Sequence, residues 1–224
     1  MTRTWALITA VAGVASLGTV VAFQSLEPVA AAKECGAGEA VIRFELARNL
    51  DTLNQIFGAA DSTCRAKVIA AVDAVNTLDV RVFIPAYTTF AAIAALFLSG
   101  GRLSSPALAA IAVALLACVT DYVETLNLLT YTPELAPSPD QLATSANAAW
   151  TKFAALGLNG LCLAAICFTS DARRPILGAL LCLPAIGVGM MAVDLKWIWV
   201  QSLAFFAAWT PLLVMSARAA ATGR

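Results

Sequence analysis

The chain contains no histidine. That removes the commonest general base and the usual zinc ligand, and with them most schemes in which a membrane-embedded metal activates water. Charge is nearly as scarce: 12% of the 224 residues are Asp, Glu, Lys or Arg, about half the share of a soluble domain. The 14 basic and 14 acidic residues cancel, and the basic ones are scattered rather than clustered with aromatics. Nucleic acid is therefore excluded as an expected partner. Internal repeats are absent, and no segment is of low complexity beyond a general richness in alanine.

What fills the chain is apolar: 60% of the residues are hydrophobic, and the mean hydropathy is +0.81. A bilayer core takes about 20 apolar residues per helix. Six stretches qualify, near 5–23, 80–99, 106–128, 147–168, 175–193 and 197–216. This predicts an all-α integral membrane protein with six transmembrane helices, residues 1–224 forming a single membrane domain. Arg3, Arg102, Arg173, Arg174, Arg218 and Arg224 lie in alternate short loops and at the ends. Basic residues are retained on the cytoplasmic side, so both termini are expected in the cytoplasm of a bacterial inner membrane. A competing reading takes the first apolar run, with PVAAA after it, as a cleaved secretory signal. Trp5 to Phe23 exceeds the usual signal core, which favours a retained helix, and the other five spans keep their orientation either way.

Residues 24–79 must then form an extracytoplasmic loop, and they hold five basic against eight acidic residues. They also hold Cys35 and Cys64, which an oxidising exterior would join; two free thiols are the alternative. Cys118, Cys162, Cys167 and Cys182 fall within spans and are expected to pack as small apolar residues. Val41, Phe44, Leu46, Leu50, Leu53 and Phe57 lie along one broad helical stripe, predicting an amphipathic helix flat on the bilayer or the bundle. Gly58 would stop it, and Asp61 or Ser62 would cap its successor. That successor meets no breaker before Pro85, so it is expected to run into the membrane and kink there.

Charge inside the spans collects at one depth. Asp121 stands 15 residues beyond Pro106, roughly 22 Å along a helix, and Glu124 and Asn127 follow on the same face. Asp79 starts the next-door span, with Tyr87 two turns deeper; Lys152 lies one turn into the fourth span, and Asp194 sits at the outer turn before the last. Ionisable residues within a bilayer are costly, face the bundle interior and pair. The pattern predicts an outward-opening polar site of Asp79, Tyr87, Asp121, Glu124, Asn127 and Lys152, with Glu45 and Asp194 secondary. The alternative is a structural ion-pair network in which Lys152 neutralises Asp121 or Glu124. Trp5, Trp150, Trp197 and Trp199 read as interfacial anchors, GVGMM at 187–191 as a close-packing segment, and Asn159 with Gly157 and Gly160 as a helix-crossing contact.

Three segments, FELARNLDTLNQIFG, LDVRVFIPAYTTF and DYVETLNLL, together resemble a group of bacterial multi-pass membrane proteins with a Phe-Glu-Leu-Ala helix, an aspartate-led span and a later acidic pair followed by asparagine. The resemblance covers roughly residues 40–130. Here Thr125 intervenes where the group has asparagine after the glutamate. The group carries no activity to transfer, but it implies that Glu45, Asp79, Tyr87, Asp121 and Glu124 belong to one feature.

Three functions fit these residues. The first is a binding or transport protein whose outer acidic site takes a cation, a small polar solute or a lipid head group. The second is an accessory or assembly subunit, with membrane-protein partners or further copies of itself. The third is an enzyme acting on lipids through a divalent ion held by Asp79, Asp121 and Glu124; with no nucleophile and base in view, an enzyme is not the expectation. No cofactor is expected, and neither the ligand nor the oligomeric state follows from the residues.

Overall fold

The computed structural model describes residues 2–36, 40–59, 62–170 and 172–223, whose regular structure is all helix, with no strand among them. In chain order the helices are α1 (Thr2–Ser25), α2 (Glu27–Lys33), α3 (Ala40–Glu45), α4 (Leu50–Phe57), α5 (Thr63–Leu78), α6 (Ile84–Leu98), α7 (Ser105–Tyr131), α8 (Pro139–Thr169), α9 (Pro175–Leu181), α10 (Leu183–Val193) and α11 (Ile198–Thr222). Among the described residues, six helical stretches are long and apolar enough to cross a membrane: Arg3–Ser25, Thr63–Leu98, Ser105–Tyr131, Pro139–Thr169, Pro175–Val193 and Leu195–Thr222. They correspond to the six expected spans; the second stops at Leu98, one residue before its expected end, and most run past an expected end.

Local chemistry sets several boundaries. Ser138 and Gln141 form a reciprocal capping box at the start of α8: Gln141 N donates to Ser138 Oγ at 3.2 Å, and Ser138 N to Gln141 Oε1 at 2.8 Å. Ser62 caps α5 by accepting from Cys64 N at 3.2 Å; Asp61, the other candidate, lies outside the described residues. The expected kink at Pro85 takes the form of a π-helical turn, Asp79–Phe83. Pro85 has no N–H for the carbonyl four residues back, and Ile84 N instead reaches the Asp79 carbonyl five residues back.

The single amphipathic helix expected over residues 41–57 is corrected by the structure. It is two short helices, α3 and α4, broken at residues 46–49. Asn49 turns extended (φ −153°), and its side chain caps α4 by accepting from Thr52 N at 2.8 Å. The break rotates the stripe, so Phe44, Leu46, Leu53 and Phe57 are buried but Leu50 is 52% exposed. Gly58 ends α4 with φ 82°, a left-handed conformation that favours glycine.

The chain divides into two compact units. The first comprises Met1–Ser16, Ala86–Cys118 and Lys152–Arg224. Small residues bring its helices together: a Cβ on Gly160 would lie 2.5 Å from the Leu181 carbonyl oxygen, and one on Gly187 would lie 2.8 Å from Gln201 Cα. Asn159 Nδ2 donates to the Ala110 carbonyl at 2.8 Å, the helix-crossing contact expected of it. Trp209, buried in α11, gathers Tyr87, Phe90 and Phe205 around its ring.

The second unit comprises Leu17–Pro85 and Val119–Thr151. Its core joins α3, α4 and α5 to the end of α7 and the start of α8. Phe44 packs edge-on against Phe57 and Tyr131, with ring centroids 4.9 and 5.7 Å apart. The Cys35–Cys64 disulfide ties the end of α2 to the start of α5, beside a Lys67–Glu34 ion pair at 3.0 Å.

Candidate functional site

Within the second unit, α5 and its π-helical turn run antiparallel to α7. Tyr122 Oη donates to the Val80 carbonyl at 3.2 Å, and the Thr125 hydroxyl lies 3.3 Å from Asp79 Oδ2 and 3.4 Å from Asp121 Oδ1. Asp121 and Thr125 stand one turn apart on α7, which presents both to Asp79. A hydroxyl has one hydrogen, so at any instant it serves one of the two carboxylates. Asp121 is 2% exposed and Glu124 is fully buried on the same helix face. Asp79 and Asp121 thus share the Thr125 hydroxyl, and Glu124 is buried on the same face of α7 as Asp121.

Asn127 is turned to α8 instead. Its Nδ2 donates to the Gln141 carbonyl and to Ser145 Oγ, both at 2.8 Å, and Tyr131 Oη reaches the same Ser145 hydroxyl at 3.4 Å. Asn127 fastens α7 to α8. Glu45 is buried at the C-terminal end of α3, in this same unit.

Tyr87 and Lys152 belong to the first unit. Tyr87 stacks on Trp209 with centroids 6.3 Å apart, and the buried Lys152 Nζ lies 4.8 Å above the Phe153 ring. Asp194 stands outside the helices, paired with Lys196 at 2.8 Å. Hydrogen bonds from the Lys196 side chain and backbone, together with its charge, hold the Asp194 carboxyl below its ordinary range.

Among the described residues, no three His, Cys, Asp or Glu side chains are arranged to hold a metal ion.

Sequence reasoning missed Thr125, which meets two of the acids, Ser145 and Gln141, which meet Asn127, and Tyr122, which donates to the Val80 carbonyl. For Thr125 a signal was available: it follows Asp121 by four residues, the spacing that stacks side chains on one helix face. Compared with known proteins, the chain matches no family model, no curated protein and no solved structure.

Proposed function

We propose that this is a binding or transport protein of a bacterial cytoplasmic membrane, with an outward-facing acidic site that takes a cation, a small polar solute or the head group of a lipid. Six helices of membrane-crossing length and apolarity are compatible with a bilayer environment, and the arginine-bearing ends and loops put both termini inside and residues 24–79 outside. The observation that carries the reading is the Thr125 hydroxyl shared by Asp79 and Asp121, beside the fully buried Glu124. Ionisable side chains within membrane spans are rare and mark ion and substrate pathways, and carboxylates are the groups that attract a cation or an ammonium-bearing head group.

The alternative of an accessory subunit drew on compact size, neutral charge, the lack of a catalytic motif and small-residue faces. Gly157, Gly160 and Gly187 are committed to close approaches inside the first unit, where Ala185, Leu181 and Gln201 meet them. They offer no free face for a partner.

Thermal unfolding in detergent tests the proposal, with sodium, calcium, an ammonium solute and lipids of different head groups added in turn. A solute at a hundred times its Kd stabilises by about 2.7 kcal/mol, roughly 5–10 °C for a chain of this size. The wild type should show such a rise with at least one of them. Asp121→Asn with Glu124→Gln should abolish the response and leave the unliganded Tm equal or higher, since like charges have been removed. A lower Tm in the double variant, with no response in the wild type to any of the solutes, would make the acids structural.

A further inference from the structure

The seam between α5 and α7 continues beyond the acids towards the disulfide-tied end of α5, and its polar groups are mismatched there. Antiparallel pairing sets Asp79 against Thr125 and, two turns earlier on α5, brings the Asp73 carboxyl to the Thr132 hydroxyl. That hydroxyl also lies 2.6 Å from the Leu128 carbonyl, and its one hydrogen serves one of the two acceptors at a time, leaving lone pairs to accept. Asp73 Oδ1 is buried and has no hydrogen-bond partner among the described residues.

Asn76 sits one turn along the same face. It is 2% exposed, and its Nδ2 is likewise buried without a hydrogen-bond partner among the described residues. The register places it opposite Leu128, which is fully buried and offers no polar side chain. Left dry, each such atom costs about 1–3 kcal/mol. An acceptor on Asp73, a donor on Asn76 and the lone pairs of Thr132 together make the three polar partners that a buried water takes.

We infer that the α5–α7 seam is a water site: ordered water bridges Asp73 Oδ1, Asn76 Nδ2 and Thr132 Oγ1. Asp73 is only partly buried, so the site opens where that side chain reaches the surface. The occupant is water, and its presence does not depend on the acidic site proposed above.

Radiolytic footprinting of the full-length protein in detergent tests it, because hydroxyl radicals made from bound water oxidise the side chains beside it. Leu128 should be oxidised several-fold faster than Leu53, although both are buried in the same apolar core. Asn76→Leu, which removes the donor and fills the gap, should bring Leu128 down to the rate of Leu53. Protection of wild-type Leu128 equal to that of Leu53 would overturn the inference. So would Leu128 oxidation that is unchanged in a folded Asn76→Leu protein. If that variant does not fold, the wild-type comparison decides alone. The measurement uses no added solute, so a dry seam beside an intact response to cations or lipids would sink this inference and leave the acidic site standing. A wet seam without any such response would do the reverse.

Discussion

The two glycines of GVGMM should respond to alanine with opposite sign. A Cβ on Gly187 would stand 2.8 Å from Gln201 Cα and 3.0 Å from Ala204 Cβ, whereas one on Gly189 would meet nothing within 4 Å. Carbon atoms rest at about 3.5–4.0 Å, so Gly187→Ala must push the backbones of α10 and α11 apart by roughly 1 Å. Overpacking of that kind costs about 1–3 kcal/mol. Alanine returns about 0.5–1 kcal/mol in a helix by lowering the freedom of the unfolded chain. The net for Gly187→Ala is a loss of about 1–2 kcal/mol, or roughly 2–8 °C in Tm. Gly189→Ala keeps the gain and has no clash to offset it, so its Tm should stay level or rise by about 1–4 °C. Far-UV circular dichroism during thermal unfolding in one detergent reads both. Shifts of the same sign and size would refute the account, because they would show that α10 does not press on α11 at Gly187.

The Cys35–Cys64 bridge leaves four free cysteines, Cys118, Cys162, Cys167 and Cys182; alkylation of the unfolded, unreduced protein should modify four thiols by intact mass, and six after reduction. Its loop of 29 residues is worth roughly 3–4 kcal/mol in the chain-entropy account, so reduction should lower the Tm clearly; a Tm indifferent to reductant would count against that role. For orientation, a cysteine placed at Ser170 should be unreactive to an impermeant thiol reagent added outside intact cells, and one placed at Asn54 should react. The opposite pattern would invert the topology.

The length and number of the apolar helices were legible because hydropathy depends on composition alone. Rotation about each helix axis was not. A helix that is apolar all round has no period to mark its inner face, so Trp209, the centre of the aromatic cluster of the first unit, looked like any other span residue. The bridge was legible because only two cysteines fall in the loop, and the ends at Gly58 and Ser62 because each residue has a specific backbone task. The break before Asn49 was not, since the apolar stripe runs through it unaltered and only the cap of Asn49 on Thr52 N reveals it. In the candidate site, the acids announced themselves by their cost in an apolar span. The threonine, serine and glutamine that meet the acids and Asn127 carry no such cost when read singly, and only the pairing of α5 with α7 and of α7 with α8 gives them meaning.

Thr125 carries the last prediction, because it is the hydroxyl within reach of both Asp79 and Asp121. Thr125→Val keeps the shape and removes the hydrogen. The loss of a buried donor to a carboxylate costs about 1–3 kcal/mol, so the unliganded Tm should fall by roughly 2–10 °C. Thr125→Asn acts the other way. An amide has two hydrogens on one nitrogen and can serve both carboxylates at once, so the need for an external cation or donor shrinks. Its unliganded Tm should match or exceed that of the wild type, and its rise on adding the stabilising solute should be smaller. The valine variant should show the larger rise, since its carboxylates depend on the solute for what the hydroxyl gave. If both variants unfold at the wild-type temperature and respond to solutes as the wild type does, Thr125 is not shared between the two acids in any way that matters, and the observation carrying the proposed function fails with it.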